Sequence, residues 1–216
     1  MIPKIAHVIW IGKPMPAELR ELVRGFEDLH PDWEMWWWDE RSIAGLDMRN
    51  RELYDDAESY VPSDSVCQFR SDLARYEILR DHGGLYLDAD LRWQHSVSPL
   101  IERAGDFMAA WEIDGQFVAN GVLASVPRHP VLLDMIEAVP VACAAPRRPD
   151  WRSNRLTGTH VLTPIVKRHG VRVSPQDTFF PAKWNQVELT NDASLFPDSI
   201  AVHVWNHQRE IRGLPL

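Results

Sequence analysis

The chain lacks the features that would connect it to nucleic acid, to a membrane or to an oxidising compartment. Its two cysteines, Cys67 and Cys143, lie outside any Cys-x-x-Cys or Cys/His cluster, so we expect buried thiols rather than a disulfide or a zinc site. There is no extended basic run and the formal net charge is −8, which argues against nucleic acid or an anionic membrane as the main partner. No apolar run is long enough to span a bilayer.

The amino terminus also lacks the layout of a targeting segment. The apolar run at residues 2–11 is short and ends in Gly12-Lys13-Pro14, without the pattern of a signal peptide. We therefore expect a cytoplasmic protein. With 216 residues, the chain should bury roughly 70% of its unfolded surface and suits a single compact domain.

Strand-like and helix-like segments alternate along the chain. Residues 4–11 are rich in β-branched side chains and predict a buried strand, residues 16–29 have helical apolar spacing, and residues 33–38 predict a second strand. Strand, helix, strand at this spacing is typical of a parallel α/β unit. Further strands are predicted at 85–87, 107–111, 117–124 and 200–205, and further helices at 50–60, 63–82, 130–139 and 158–169.

An acidic pair, Asp88 and Asp90, follows one of the predicted strands directly. The 18 aspartates of the chain would produce about 1.5 Asp-x-Asp pairs by chance, so the spacing alone is weak evidence. Position adds weight, because ligands of open α/β sheets bind beyond the carboxyl ends of the strands. Two carboxylates there could hold Mg²⁺ or Mn²⁺ together with substrate phosphates, or could form only a solvated turn.

The helix before this strand carries Asp72 and Arg75 one turn apart. Its apolar stripe is formed by other residues, so these two side chains should point to one place on a different face.

Together these segments resemble a known family. Residues 69–91 read FRSDLARYEILRDHGGLYLDADL and fit the gapped pattern SDxxRyxxLxxxGGxYxDxD of glycosyltransferase family 32, which includes yeast mannosyltransferases. Residues 2–10 are similar to the family's opening, IPKxIHxIW. Later landmarks are matched more loosely at Asn120-Gly121, Thr157-Gly158 and His203-x-Trp205, so the likeness covers nearly the whole chain.

The resemblance implies a GT-A-type fold, a mixed α/β sheet flanked by helices. It also implies a UDP- or GDP-linked sugar as donor, a carbohydrate-type acceptor, Mn²⁺ or Mg²⁺ as cofactor, and retention of anomeric configuration. The catalytic domain would span residues 1–216, with the nucleotide-sugar and metal-binding half at 1–95 and the acceptor-side half at 96–216.

The resemblance also assigns roles to individual residues. Asp88 and Asp90 match the acidic pair that holds metal and diphosphate. Asp88 is also assigned to donor binding, and Asp90 to the catalytic residues. Asp72 and Arg75 match positions that meet the donor sugar and its phosphate, and we count both as catalytic and donor-binding.

Three further residues are assigned by position. Trp10 matches the aromatic residue on which the donor base stacks, and Asn120 is expected to touch a sugar. His203 lies where many GT-A enzymes place a late metal ligand, and imidazole is a reasonable ligand for Mn²⁺.

Each assignment has a structural alternative that the sequence leaves open. Asp72 and Arg75 could form only a surface ion pair, Trp10 could be a core residue, and His203 could be a structural residue of its strand. Glu112 and Asp114, between two predicted strands, could approach the acceptor.

The function also has alternatives. A nucleotidyltransferase would use similar metal chemistry but normally has a richer glycine and lysine loop than residues 11–14. A catalytically silent carbohydrate-binding protein would not need a diphosphate site. The loop at 145–155, with Arg147, Arg148, Arg152 and Arg155, could close over phosphate, grip an acidic acceptor, or be solvated.

Overall fold

A computed structural model of the protein describes residues 1–146, 148 and 150–216, so that Arg147 of the predicted arginine-rich loop lies outside the described residues. The strands are β1 Ile5–Ile9, β2 Glu34–Trp38, β3 Gly84–Leu87, β4 Leu91–Trp93, β5 Phe107–Ile113, β6 Phe117–Ser125, β7 Val173–Ser174 and β8 Ala201–His203. The helices are α1 Ala17–Leu29, α2 Glu40–Ala44, α3 Arg51–Asp55, α4 Val66–His82, α5 Ser98–Ala104, α6 Pro130–Ala144, α7 Ser153–Leu156, α8 Thr159–Arg168 and α9 Asn206–Arg212.

A mixed sheet of six strands forms the centre of the fold, in the order β2-β1-β3-β6-β5-β7. Strand β1 lies parallel to β2 and β3, whereas β6 runs antiparallel to β3 and β5. The short strands β4 and β8 form a separate antiparallel pair. The carboxyl ends of β1, β2 and β3 therefore share one edge of the sheet, where ligands of open α/β sheets collect.

Apolar side chains are packed on both faces of the sheet. Helices α4, α6 and α8 contribute to one cluster, and α1, α5 and the β4–β8 pair contribute to the other. Helix α4 is enclosed on most sides, so that its polar residues Asp72, Arg75 and Glu77 are buried along with its apolar stripe. The predicted helix is confirmed, and it carries its charges into the interior.

The structure differs from the sequence prediction at several ends. Helix α6 continues past Pro140 to Ala144, and its last turn buries Cys143 in the same apolar cluster as Val139. Strand β8 ends at His203, since Trp205 adopts a positive φ of 58° and turns the chain into α9. Cys143 is buried as predicted, whereas Cys67 is exposed.

Within the described residues, no helix combines the length and the apolar character that crossing a bilayer requires.

Candidate active site

Two short strands bring three distant side chains to the carboxyl edge of β3. Asp88 follows β3 directly, Asp90 precedes β4, and His203 ends β8. In the β4–β8 pair, His203 lies opposite Leu91, the neighbour of Asp90. The backbone N–H of Val204 also donates to the carbonyl of Asp90 at 2.9 Å, which fixes β8 beside the acidic pair.

The ligand atoms of this cluster converge on one point. His203 Nε2 lies 3.1 Å from Asp90 Oδ1 and 3.8 Å from Asp88 Oδ2. One ligand atom from each of the three residues can be chosen so that all lie within 4.8 Å of one another. Asp88, Asp90 and His203 are called the acidic cluster below.

Each aspartate is anchored through its other oxygen. Asp88 Oδ1 accepts the Tyr86 hydroxyl at 2.7 Å and lies 3.5 Å from Arg75 Nη1. Asp90 Oδ2 accepts the backbone N–H of Asn206 at 2.8 Å. The carboxylates are therefore held in orientation while Asp88 Oδ2 and Asp90 Oδ1 stay directed at His203.

Gly121 leaves space beside Asp88. Its carbonyl accepts the backbone N–H of Asp88 at 2.8 Å, so the two residues are neighbours across β3 and β6. A Cβ atom at position 121 would lie well inside van der Waals contact with Asp88 Oδ2. Only glycine therefore fits here without moving the carboxylate.

The charges of the cluster depend on one another. Burial alone would lower the pKa of His203, but the carboxylates of Asp90 and Asp88 outweigh it and raise the pKa to about 10. Burial would raise the pKa of Asp90, yet His203 and the Asn206 N–H hold it below its usual value. A protonated His203 therefore faces the two carboxylates together with the guanidinium of Arg75.

The same cluster fits a divalent cation. Octahedral Mg²⁺ has bonds of about 2.1 Å, so its ligand atoms are about 3 Å apart when adjacent and about 4.2 Å apart when opposite. The separations of 3.1 and 3.8 Å from His203 Nε2 to the two carboxylates lie within that range. Two carboxylates and an imidazole suit Mn²⁺ or Mg²⁺, since carboxylate oxygen is a preferred ligand of both and imidazole is acceptable to Mn²⁺. The three residues therefore have the atoms and the spacing for a metal site.

A second group of polar residues lies beneath this edge. Asp72 Oδ1 accepts from Asn120 Nδ2 at 2.8 Å and lies 3.1 Å from Arg75 Nη2, and Asp72 Oδ2 accepts the Thr157 hydroxyl at 2.7 Å. Asn120 Nδ2 also lies 3.3 Å from the hydroxyl of Tyr76. These five residues are called the polar network below.

Arg75 connects the polar network to the acidic cluster. Its Nη1 donates to the carbonyl of Asn120 at 2.7 Å, and its guanidinium lies 4.3 Å from the centre of the Tyr86 ring. The side chains of Arg75 and Asp72 are only 6% and 7% exposed, so the alternative of a surface ion pair is wrong. Contact of either residue with a donor stays a prediction.

Trp10 lies at the same sheet edge, in a separate pocket. It follows β1, the parallel neighbour of β3, and its indole N–H donates to the carbonyl of Lys13 at 2.6 Å. The half-buried ring lines a pocket of about 170 Å³, whose other lining residues are Met15, Arg20, Trp37, Trp38 and Asp39. This pocket has the aromatic lining that a base would use, although stacking on Trp10 stays a prediction.

The remaining candidates occupy different positions. Asp114 is exposed, and its carboxylate accepts the backbone N–H of Gln176 at 2.8 Å. Of the arginine-rich loop, Arg152 pairs with Asp64 at 2.8 Å and Arg148 with Asp150 at 3.2 Å. Neither arginine has a described contact with the acidic cluster.

The sequence did not predict some of the residues that hold Asp72, Asp88 and Asp90 in place. Asn206 acts through its backbone N–H, which leaves no signal in the residue type. Thr157 and Gly121 stood among the loosely matched landmarks, and Tyr86 fitted the central pattern, but their contacts with Asp72 and Asp88 were not predicted.

Known structures share the fold. PaToxG glycosyltransferase superposes with a TM-score of 0.60 and 16% identity, covering 99% of this chain and 79% of that chain. The UDP-bound glycosyltransferase domain of the YGT toxin superposes with a TM-score of 0.53 and 11% identity, covering 81% of this chain and 79% of that domain. The fold is therefore of the GT-A type that the sequence predicted.

A family model matches part of the sequence. Residues 16–105, which include α4, Asp88 and Asp90, match the family model described as glycosyltransferase sugar-binding region containing DXD motif. The resemblance to glycosyltransferase family 32 is thereby confirmed over this part of the chain.

Curated relatives agree in class. An uncharacterized glycosyltransferase of Acanthamoeba polyphaga mimivirus is 33% identical over 140 residues, which cover 61% of this chain and 53% of the viral protein. A mannosyl phosphorylinositol ceramide synthase of Saccharomyces cerevisiae is 32% identical over 141 residues, covering 64% of this chain and 35% of the yeast protein. The matched region therefore spans about half of the viral relative and about a third of the yeast relative.

Proposed function

We propose that the protein transfers a sugar from a UDP- or GDP-linked donor to a carbohydrate-type acceptor, with Mn²⁺ or Mg²⁺ as cofactor and with retention of anomeric configuration. The observation that carries the proposal is the convergence of Asp88 Oδ2, Asp90 Oδ1 and His203 Nε2 at the carboxyl edge of β3. A lectin-like protein would have no need for this arrangement.

The acidic cluster would hold the cation at the donor diphosphate. A bound cation supplies positive charge that stabilises the nucleoside diphosphate as it leaves. Asp88 and Asp90 are suited to hold it because their orientation is set by Tyr86 and by the backbone of Asn206.

The neighbouring residues would bind the rest of the donor. Trp10 would stack on the base, as its half-buried position in an aromatic pocket supports. Asn120, with Asp72 and Arg75 behind it, would face the sugar. Asp72 and Arg75 are nearly buried, so their effect on catalysis would come mainly through the positions of Asn120 and Asp88.

Both halves of the chain would contribute to one domain. Residues 1–95 would supply Trp10, Asp88 and Asp90 for the donor, and residues 96–216 would form the acceptor side. The metal site would draw on both, because His203 belongs to the second half.

The similar proteins bear on the donor. The name of the yeast relative includes the word mannosyl, and the YGT domain is described as UDP-bound. Both donor classes therefore belong in the test. The cytoplasmic location expected from the sequence stays a prediction.

The test is donor turnover. The protein is incubated with UDP-glucose, UDP-galactose, UDP-N-acetylglucosamine or GDP-mannose, with Mn²⁺ or with EDTA, and nucleoside diphosphate release is measured. We expect release from one donor class only, dependent on metal, and abolished in Asp88→Ala and Asp90→Ala. The anomeric configuration of the product, read by NMR, tests retention.

The control is Asp28→Ala, which removes an exposed carboxylate from α1. It should keep full turnover. Full activity in the Asp88→Ala/Asp90→Ala double variant would overturn the metal site. Binding of nucleotide sugar without any turnover would favour the catalytically silent alternative.

A further inference from the structure

The pocket that Trp10 lines lies at the ends of two neighbouring strands. Strands β1 and β2 run parallel, and just beyond β1 the backbone N–H of Trp10 donates to the carbonyl of Trp38 at 2.9 Å. Asp39 follows Trp38 directly and lines the same pocket. An aromatic ring and a carboxylate therefore belong to one surface at the carboxyl edge of the sheet.

Hydrogen bonds fix the segments that carry these two side chains. The indole N–H of Trp10 donates to the carbonyl of Lys13 at 2.6 Å. The backbone N–H of Gly12 donates to the carboxylate of Glu40, the residue after Asp39. The loop that follows β1 is thus attached to the start of α2, so the ring and the carboxylate are held in a defined arrangement.

Asp39 caps helix α2 through one of its oxygens. Oδ1 accepts both the backbone N–H and the hydroxyl of Ser42, each at 2.8 Å, whereas no hydrogen bond to Oδ2 is found within the described residues. The hydrogen bonds from Ser42 hold the pKa of Asp39 below its usual value, so the carboxylate is ionised at neutral pH. An ionised carboxylate only accepts hydrogen bonds, so Asp39 offers the pocket an acceptor and no donor.

An acceptor at this place distinguishes the bases of the two donor classes. Guanine carries two adjacent donors, N1–H and the N2 amino group, on the edge away from the ribose. Uracil carries a single donor there, N3–H, with a carbonyl oxygen on either side. A carboxylate gains hydrogen bonds beside guanine, whereas beside uracil it also faces acceptor oxygens that repel it.

Arg20 supplies donors in the same pocket. Its guanidinium lies 6.0 Å from the centre of the Trp37 ring, and both side chains line the pocket. Arginine is the commonest specific partner of guanine, through O6 and N7. Uracil also has a carbonyl oxygen that an arginine can bind, so the discrimination between the two bases comes from Asp39.

We propose that the base of the donor is guanine and that Asp39 selects it. The base stacks on Trp10, and Asp39 Oδ2 accepts hydrogen bonds from its N1–H and N2 amino groups. This inference rests on the proposed function, because it requires a nucleotide donor whose base occupies the Trp10 pocket.

The test is calorimetric titration of GDP, UDP and xanthosine diphosphate, each with Mn²⁺, into folded wild type, Asp39→Asn and Asp28→Asn. Xanthine has a carbonyl where guanine has the N2 amino group. Asparagine caps helices as well as aspartate does, and the N–H of Ser42 requires its oxygen, so its amino group is directed to the pocket. Asp28 is an exposed carboxylate of α1 and serves as the matched control.

We expect wild type to bind GDP roughly tenfold or more tightly than UDP, as one hydrogen bond to a charged group supports. Asp39→Asn should weaken GDP binding by roughly the same factor, because two donors then face each other. The same variant should bind xanthosine diphosphate more tightly than wild type does. Asp28→Asn should match wild type with all three nucleotides.

The contrary outcomes are distinct. A wild type that binds UDP as tightly as GDP would overturn the inference and leave the proposed function standing. A preference for GDP that persists in Asp39→Asn would also overturn it, as would a loss of GDP binding with no gain for xanthosine diphosphate. A folded wild type that binds neither GDP nor UDP would overturn the proposed function itself, and this inference with it.

Discussion

The polar network and the acidic cluster are neighbours but differ in how their charges are satisfied. In the network, both oxygens of Asp72 accept hydrogen bonds, and Arg75, Asn120 and Thr157 supply them. In the cluster, one oxygen of Asp88 and one of Asp90 are left facing His203. The first arrangement is complete without a ligand, whereas the second brings two like charges together and has room for a cation.

The difference shows two uses of buried charge. A fully hydrogen-bonded network fixes the positions of the elements around it, because removing any partner leaves a buried charge without compensation. A cluster of like charges gains by binding a cation, so it is prepared for a ligand at some expense of stability. Arg75 joins the two, so the rigid network also orients Asp88.

The largest effect expected is on stability, from Asp72→Ala. This change leaves Arg75, Asn120 and Thr157 without their common acceptor, and breaking a buried ion pair costs about 3–5 kcal/mol of unfolding free energy. Urea denaturation measures it. The matched variant Asp88→Asn, in the part-exposed cluster, should change stability by less than about 1 kcal/mol without metal. Equal losses in the two variants would abolish the distinction between the regions.

His7 is a third case, a buried neutral side chain whose two ring nitrogens both have hydrogen-bond partners. Nε2 of this buried histidine lies 2.8 Å from the carbonyl of Gly83, and Nδ1 accepts the indole N–H of Trp38 at 3.2 Å. One neutral tautomer satisfies both contacts. Burial lowers the pKa of His7 from 6.5 to about 4, although the Gly83 carbonyl acts in the opposite direction.

The sign of the pH effect follows from that shift. As the pH falls from 6.5 to about 4, His7 becomes protonated in the unfolded chain but stays neutral in the folded protein. The free energy of unfolding therefore falls as the pH falls. The full loss due to His7 is about 3 kcal/mol. NMR titration should show that the His7 ring is neutral down to about pH 4. The difference in unfolding free energy between wild type and His7→Gln should decrease by that amount as the pH is lowered from 6.5 to about 4. A ring that titrates near 6.5 would contradict the prediction.

The smallest effect expected is that of Gly121→Ala. The added methyl group displaces Asp88 Oδ2, and disturbing the support of a metal ligand typically weakens metal affinity by about tenfold or more. Titration of Mn²⁺, followed by electron paramagnetic resonance, measures the change. Gly25→Ala is the control, because a Cβ there would meet nothing within 4 Å. Unchanged Mn²⁺ affinity in Gly121→Ala would place the metal away from Asp88 Oδ2.

The sequence was informative where the signal is local. The run of apolar residues before Asp88 and Asp90 predicted a strand and placed the pair at its carboxyl end, as the structure has it. The spacing of Asp72 and Arg75 placed them on one side of α4, and they contact each other. Burial of that side was not predicted, because its polar residues are typical of a solvated face.

Contacts between segments far apart in the chain were harder to predict from the sequence. Strands β4 and β8 have three residues each, too few to show a period, and β4 was not predicted. Their pairing nevertheless brings His203 to Asp90. His203 was assigned only through its order along the family pattern. The contacts of Thr157 and Asn206 join segments far apart in the chain, and no local pattern reports them.

Calorimetric titration of UDP and GDP, with and without Mn²⁺, tests most directly whether the acidic cluster holds a cation for a nucleotide diphosphate. Wild type and Asp88→Asn are compared, each shown to be folded. We predict that wild type binds one nucleotide in a Mn²⁺-dependent manner and that Asp88→Asn loses this binding. Equal binding with and without Mn²⁺, or no binding of either nucleotide by the folded wild type, would contradict the account.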